Sequence, residues 1–145
     1  MEIYTIGFTK KKASEFFGLL KKHAIKRLID IRLNNSSTLA GFTKKDDLKY
    51  FLKQICDAEY IHEPMLAPSK EILDSYRDNK IGWSEFVNNF KTLMHDRHIE
   101  KYIKKETFDI PTVLLCSEST SEHCHRRLVA EYLKEKWGDV EIIHI

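Results

Sequence analysis

Apolar positions along the chain change period in a regular order, from short runs to helical spacing and back. Glu2-Ile-Tyr-Thr-Ile6 is a short apolar-rich run closed by Gly7 and predicts a strand. Ala13, Phe16, Phe17, Leu20 and Ala24 then fall on one helical face, and Arg27-Leu-Ile-Asp-Ile31 predicts a second strand. The polar segment Arg32 to Gly41 is too long to be a mere connector, and such loops often hold function. Thr43 is placed to cap a helix with a stripe of Leu48, Phe51, Leu52 and Ile55; Glu59-Tyr-Ile-His62 predicts a third strand, ended by Pro64.

Between Pro68 and Asp109 lie two helical patterns. One follows Ser69 with Ile72, Leu73 and Tyr76, and the other follows Ser84 with Phe86, Phe90, Leu93 and Met94. Pro111-Thr-Val-Leu-Leu-Cys116 predicts strand four, residues 122–137 a helix ended by Gly138, and Val140 to Ile145 strand five. Strands separated by helices imply right-handed crossovers and a mainly parallel sheet with helices on both faces. The expected fold is therefore one three-layer α/β domain over residues 1–145, with residues 68–109 as a helical crossover before the fourth strand.

Composition narrows the classes. With 145 residues and no Pro/Gly/Ser-rich linker, one domain is expected, and 42% hydrophobic content is ordinary for a globular core. A net charge of +2 from 24 basic and 22 acidic residues is too balanced to indicate nucleic-acid binding by itself. The amino terminus has no basic flank followed by an apolar core, and no window approaches the ~20 apolar residues of a membrane span. Three cysteines are an odd number, so reduced thiols in a cytoplasmic, non-membrane protein are expected.

Candidate chemistry concentrates where strand four meets the last helix. Cys116, Glu118, His123, Cys124, His125, Arg126 and Arg127 fall within this strand-to-helix turn, the place where a parallel sheet binds ligands and a helix amino terminus offers free N–H groups. With Thr120 or Ser121 as cap, Cys124 lies in the first helical turn, where the dipole and two arginines lower its thiol pKa. Cys116 reads equally as a core hydrophobe and as a site residue, and Cys56 as structural. His123 and His125 point apart by ~200° in a helix, so at most one joins the pocket. Glu118 is suited to proton transfer or to accepting a hydroxyl, and one of Arg126 and Arg127 should point inward to grip a carboxylate or phosphate.

The other strand ends carry Gly7-Phe8-Thr9, Arg32 with Asn34 and Asn35, and His62-Glu63. Neither G-x-G-x-x-G nor a Walker lysine motif is present. Six residues after Cys116 comes Glu122 and six after Cys124 comes Ala130, so the C-x5-R phosphatase spacing is absent; Asp30-Ile-Arg32 looks like the Asp-x-Arg strand of rhodanese-type domains. Zinc is disfavoured as well, because the two cysteines are eight positions apart without a second pair and the neighbours His123 and Cys124 converge poorly on one ion.

Thr5-Ile6-Gly7-Phe8-Thr9, Asp30-Ile-Arg32, and Cys116-x-Glu118 with Cys124-His125-Arg126 together resemble domain-of-unknown-function family 488 over essentially the whole chain. The resemblance implies a compact cytosolic α/β domain with candidate site residues and no assigned reaction. Many members carry histidine after the first-turn glycine, where this chain has Phe8.

The residues and the resemblance together lead to one expectation. An enzyme, or enzyme-derived binder, holds a small anionic or nucleotide-like ligand at the carboxyl edge of the sheet. Cys124, Glu118 and His125 are its catalytic candidates, and Gly7, Thr9, Arg32, Asn34, Cys116 and Arg126 its ligand-binding candidates, with no metal assigned and the cofactor unknown. The second reading is a non-catalytic nucleic-acid or protein interaction module using Lys10, Lys11, Lys12, Lys44 and Lys45, and the third a metal-binding protein.

Overall fold

A computed structural model describes residues 1–36, 41–118 and 120–145. Ser37 to Ala40 of the expected polar loop, and Ser119 in the terminal polar cluster, lie outside the described residues. Five parallel strands form one sheet in the order β3-β2-β4-β1-β5, with β1 at Glu2–Gly7, β2 at Arg27–Asp30, β3 at Glu59–His62, β4 at Thr112–Cys116 and β5 at Glu141–His144. Every residue of β4 is buried, which is why Thr112-Val-Leu-Leu-Cys116 is apolar without alternation. The outer strands β3 and β5 carry only partly buried and exposed positions, alternating in β3.

Helices cover both faces. Leu28, Val113 and Leu115 pack with Phe16, Phe17 and Leu20 of helix α1 (Ala13–Lys22) and with Leu48 of helix α2 (Lys45–Phe51). Ile29, Leu114 and Cys116 face the other side, against α3 (Lys70–Arg77), α4 (Trp83–Arg97), α5 (Ile99–Tyr102) and α6 (His125–Trp137). No helix of the described residues is long and apolar enough to cross a membrane.

Several boundaries differ from the sequence expectation, each for a local reason. Helix α1 stops at Lys22 because Ala24 adopts a left-handed conformation (φ 52°); Ala24 is exposed and Ile25 enters the core instead. After α2 the chain winds as a π-turn over Leu52–Cys56, which changes the helical phase: Leu52 and Cys56 are buried while Ile55 is 39% exposed. Thr43 does not cap α2; it closes a 3-10 turn at Gly41–Thr43, and Lys44 is the cap residue. Ser69 does cap α3, its hydroxyl accepting from the Ile72 amide at 3.2 Å. Gly138, at φ 85°, ends α6 as expected.

Strand β2 is tied to the loop after it and to its neighbour β3 by one buried carboxylate. Asp30 is fully buried and accepts from Arg32 Nε and Nη2, each at 2.8 Å, from the Arg32 amide at 3.1 Å and from the Tyr60 hydroxyl at 2.6 Å. Arg32 Nη2 also donates to the Thr43 carbonyl at 2.6 Å. Removing one partner of a buried ion pair strands the other charge. Asp30→Ala is therefore expected to cost about 3–5 kcal/mol in urea unfolding, and adding Arg32→Met should restore part of the loss.

Candidate functional site

Strand register sets the level of the site. Gly7 pairs with Cys116 and Asp30 with Leu115, so the ends of β1, β2 and β4 reach nearly the same height. Beyond them a cavity of about 110 Å³ opens on the α3–α4–α6 face. Its floor is Cys116, Cys124 and His125; one side is Arg32, Leu33 and Asn34, and another Ser117, Glu118 and His123. The helical crossover supplies the rest, Tyr76, Arg77, Trp83 and Phe86 together with Pro68 and Leu73. Trp83 stacks on Phe86 (5.2 Å, 15°), and His123 lies against Trp83 at 4.8 Å.

The last helix starts later than expected, at His125, with Cys124 as an extended cap residue (φ −128°, ψ 139°). Two expectations fail for that reason. Cys124 is not a free thiolate in a first helical turn: it is 2% exposed and joined to Cys116 in a disulfide, so these two thiols are not reduced in this structure. Moreover, His123 precedes the helix, so its ring is not bound by helical spacing and lines the cavity together with His125. Cys56 remains a free, buried thiol, and burial pushes it up.

His125 Nε2 faces the Ile31 carbonyl at 2.7 Å, and since a carbonyl only accepts, this nitrogen carries the proton. Burial holds the imidazole down at about 4, with the nearby Arg126 charge acting in the same direction, so the ring is neutral at neutral pH. Phe90 meets it edge-on at 5.9 Å.

The ligand-binding candidates divide. Asn34, Cys116 and Arg32 line the cavity, but the Arg32 charge is answered by Asp30, and its guanidinium lies 5.2 Å from the centre of the Phe8 ring. Thr9 ties β1 to β4: its amide and hydroxyl both donate to the Ser117 carbonyl, at 3.0 and 2.6 Å. Gly7 is approached by the chain itself, since a Cβ there would collide with the Glu118 carbonyl and with Arg126 Nη1. Arg126 is the inward arginine, 1% exposed, donating from Nη1 to the Glu118 carbonyl and lying 3.7 Å from Cys116 Sγ. Burial pulls this guanidinium down to about 10, and its Nε has no hydrogen-bond partner.

Sequence reasoning missed the crossover wall. Tyr76 and Phe86 read in the sequence as members of helical stripes, and Trp83 and Arg77 carry no signal beyond their positions at the facing ends of α3 and α4. An aromatic cluster beside a short inter-helix turn was the available clue.

The model described as domain of unknown function DUF488 matches residues 12–133. The chain belongs to this family. No curated protein and no solved structure matches it. The DUF488 match takes in Asp30-Ile-Arg32, Cys116-x-Glu118 and Cys124-His125-Arg126, while the Gly7 turn lies just before it.

Two outcomes follow for this DUF488 site. Gly7→Ala should destabilise by more than about 3 kcal/mol in urea unfolding, beyond the common overpacking cost, because backbone rather than a flexible side chain blocks the methyl group. For His125, the folded pKa of about 4 lies below the ordinary histidine value of 6.5, so the unfolded chain binds the extra proton between them. Stability of the disulfide-bonded protein should rise with pH through that window by at most about 3 kcal/mol and then level off, a slope that His125→Gln removes.

Proposed function

We propose that the chain is an enzyme, or an enzyme-derived binder, that takes a compact anionic ligand with a planar body into the cavity at the carboxyl edge of the sheet. The observation that carries this reading is the union, in one cavity, of a Cys116–Cys124–His125 floor with an aromatic wall and an arginine at its rim. Trp83, already in contact with Phe86 and His123, and Tyr76 form the aromatic wall against which a planar group would pack. Arg77 is exposed and has no salt-bridge partner among the described residues, so it is the cation best placed to meet a carboxylate or phosphate.

Cavity size narrows the ligand class. At about 110 Å³ it is well below the roughly 300–1,000 Å³ of sites for drug-sized molecules, so a ring or short acid suits it better than a whole nucleotide. Glu118 is the favoured acid or base. His125, neutral and with Nε2 engaged by Ile31, is a poor proton carrier near pH 7. A cytoplasmic location belongs to this reading and requires the Cys116–Cys124 disulfide to be reduced there, as the Cys56 thiol already is.

Tryptophan fluorescence titrated with benzoate, inorganic phosphate and adenosine monophosphate tests the idea. Benzoate should bind, adenosine monophosphate should bind more weakly, and Arg77→Gln should weaken benzoate by roughly tenfold or more, the worth of one charge-assisted hydrogen bond. No response to any of the three, or unchanged benzoate affinity in the variant, refutes it.

A further inference from the structure

We propose that Cys116, Cys124 and His125 form a three-ligand site for a thiophilic divalent cation of the zinc type, with its fourth position open to the cavity, and that the Cys116–Cys124 disulfide is the cation-free, oxidised state of this site. This goes beyond the anion reading, and the two share a cavity without depending on each other.

The three side chains offer ligand atoms that all lie within 4.8 Å of one another. Around a tetrahedral ion with zinc-like bond lengths of about 2.0–2.3 Å, neighbouring ligand atoms stand about 3.5–3.8 Å apart, a spacing that small side-chain rotations reach from here. The sequence objection to adjacent ligands does not apply to Cys124 and His125, because an extended residue followed by the first helical residue turns both toward one point.

Three further observations agree. The Ile31 carbonyl fixes the proton on His125 Nε2 and leaves the Nδ1 lone pair for a cation; metal-binding histidines commonly donate their other ring N–H to a carbonyl in this way. The Cα atoms of Cys116 and Cys124 are 7.4 Å apart, outside the usual disulfide range of roughly 4.4–6.8 Å, so the backbone suits two sulfurs held apart by an ion. Arg126 is buried, with Nε unpartnered and Nη1 3.7 Å from Cys116 Sγ, and a thiolate at 116 gives this guanidinium an anionic partner that the disulfide does not.

Charge balance favours occupancy. Two thiolates offset the divalent cation and the imidazole adds no charge, which limits the desolvation cost of a buried centre; the Arg126 guanidinium beside Cys116 leaves one positive charge over. Loading requires a dithiol reductant: two electrons and two protons convert the disulfide to two thiols while the dithiol becomes a disulfide, and the cation then displaces both thiol protons. With three protein ligands and Glu118 in the same cavity, the open position is where a bound water would meet a base, the pattern of catalytic rather than structural zinc.

The test uses the full chain, reduced with dithiothreitol, freed of metal by a chelator and of reductant by anaerobic gel filtration, then titrated with cobalt(II). Thiolate-to-cobalt charge-transfer absorption should appear with a stoichiometric end point and be bleached by zinc(II). Cys56→Ser should match the parent chain, Cys124→Ser and His125→Ala should lose roughly 100-fold or more in affinity, and the disulfide form should not respond. Should a variant fail to fold by circular dichroism, alkylation mapped by mass spectrometry on the parent chain replaces it, with zinc slowing Cys116 and Cys124 but not Cys56. Absence of the charge-transfer band, unchanged cobalt affinity in a folded His125→Ala chain, or alkylation rates indifferent to zinc overturns the proposal. Since no organic anion is present, failure here leaves the benzoate result standing, and failure with benzoate leaves this one standing.

Discussion

A single carboxylate organises the working edge of this sheet. Asp30 has no access to water, so its charge must be met within the fold, and Arg32, two residues on, meets it through two side-chain nitrogens and its own amide. The consequences spread by hydrogen bonds. Tyr60 of β3 closes the remaining side of the carboxylate, Asn35 Nδ2 donates to the Tyr60 hydroxyl at 3.1 Å, and His62 Nε2 donates to the Arg32 carbonyl at 2.9 Å. Strand ends that would otherwise be loose loops become a stiff rim, and that rim carries one wall of the cavity. Arg32 therefore serves first as the counter-ion of Asp30 and only secondarily as a surface for a ligand.

Fold class was legible because strand and helix segments differ so clearly in period. Val113-Leu114-Leu115 has no polar alternation since β4 is covered on both faces, and Phe16, Phe17 and Leu20 are spaced for one helical face. Boundaries were less legible, since they depend on backbone choices that single residues only weakly signal. The left-handed turn at Ala24 and the π-winding after Phe51 both move apolar positions off their expected faces. Neither residue type advertises such a conformation.

The site was legible in its contents and less so in its arrangement. Cys116, Glu118, Cys124 and His125 do meet, because the register of β4 and the start of α6 bring them to one level. Roles were harder to read. Gly7 looked like a place for a ligand to come close, but Glu118 and Arg126 fill that space. Thr9 looked like a binding hydroxyl, but it is a tie between loops. The pairing of the two sulfurs depended on an extended Cys124 that no cap signal announced. The aromatic wall comes from a crossover whose position over the sheet end is a matter of tertiary packing alone.

Strand order has a consequence for how the molecule comes into being. β4 lies between β1 and β2, pairing with both, although it follows them by most of the chain. During synthesis the first three strands therefore emerge with a vacant slot at the centre of their sheet, and β1 cannot be joined to β2 until the residues after Pro111 arrive. Such long-range closure slows assembly and makes it cooperative. The chemistry-bearing turn thus takes shape in the same step that completes the core, so a chain cut short of β4 should give an unfolded product rather than a half-built one.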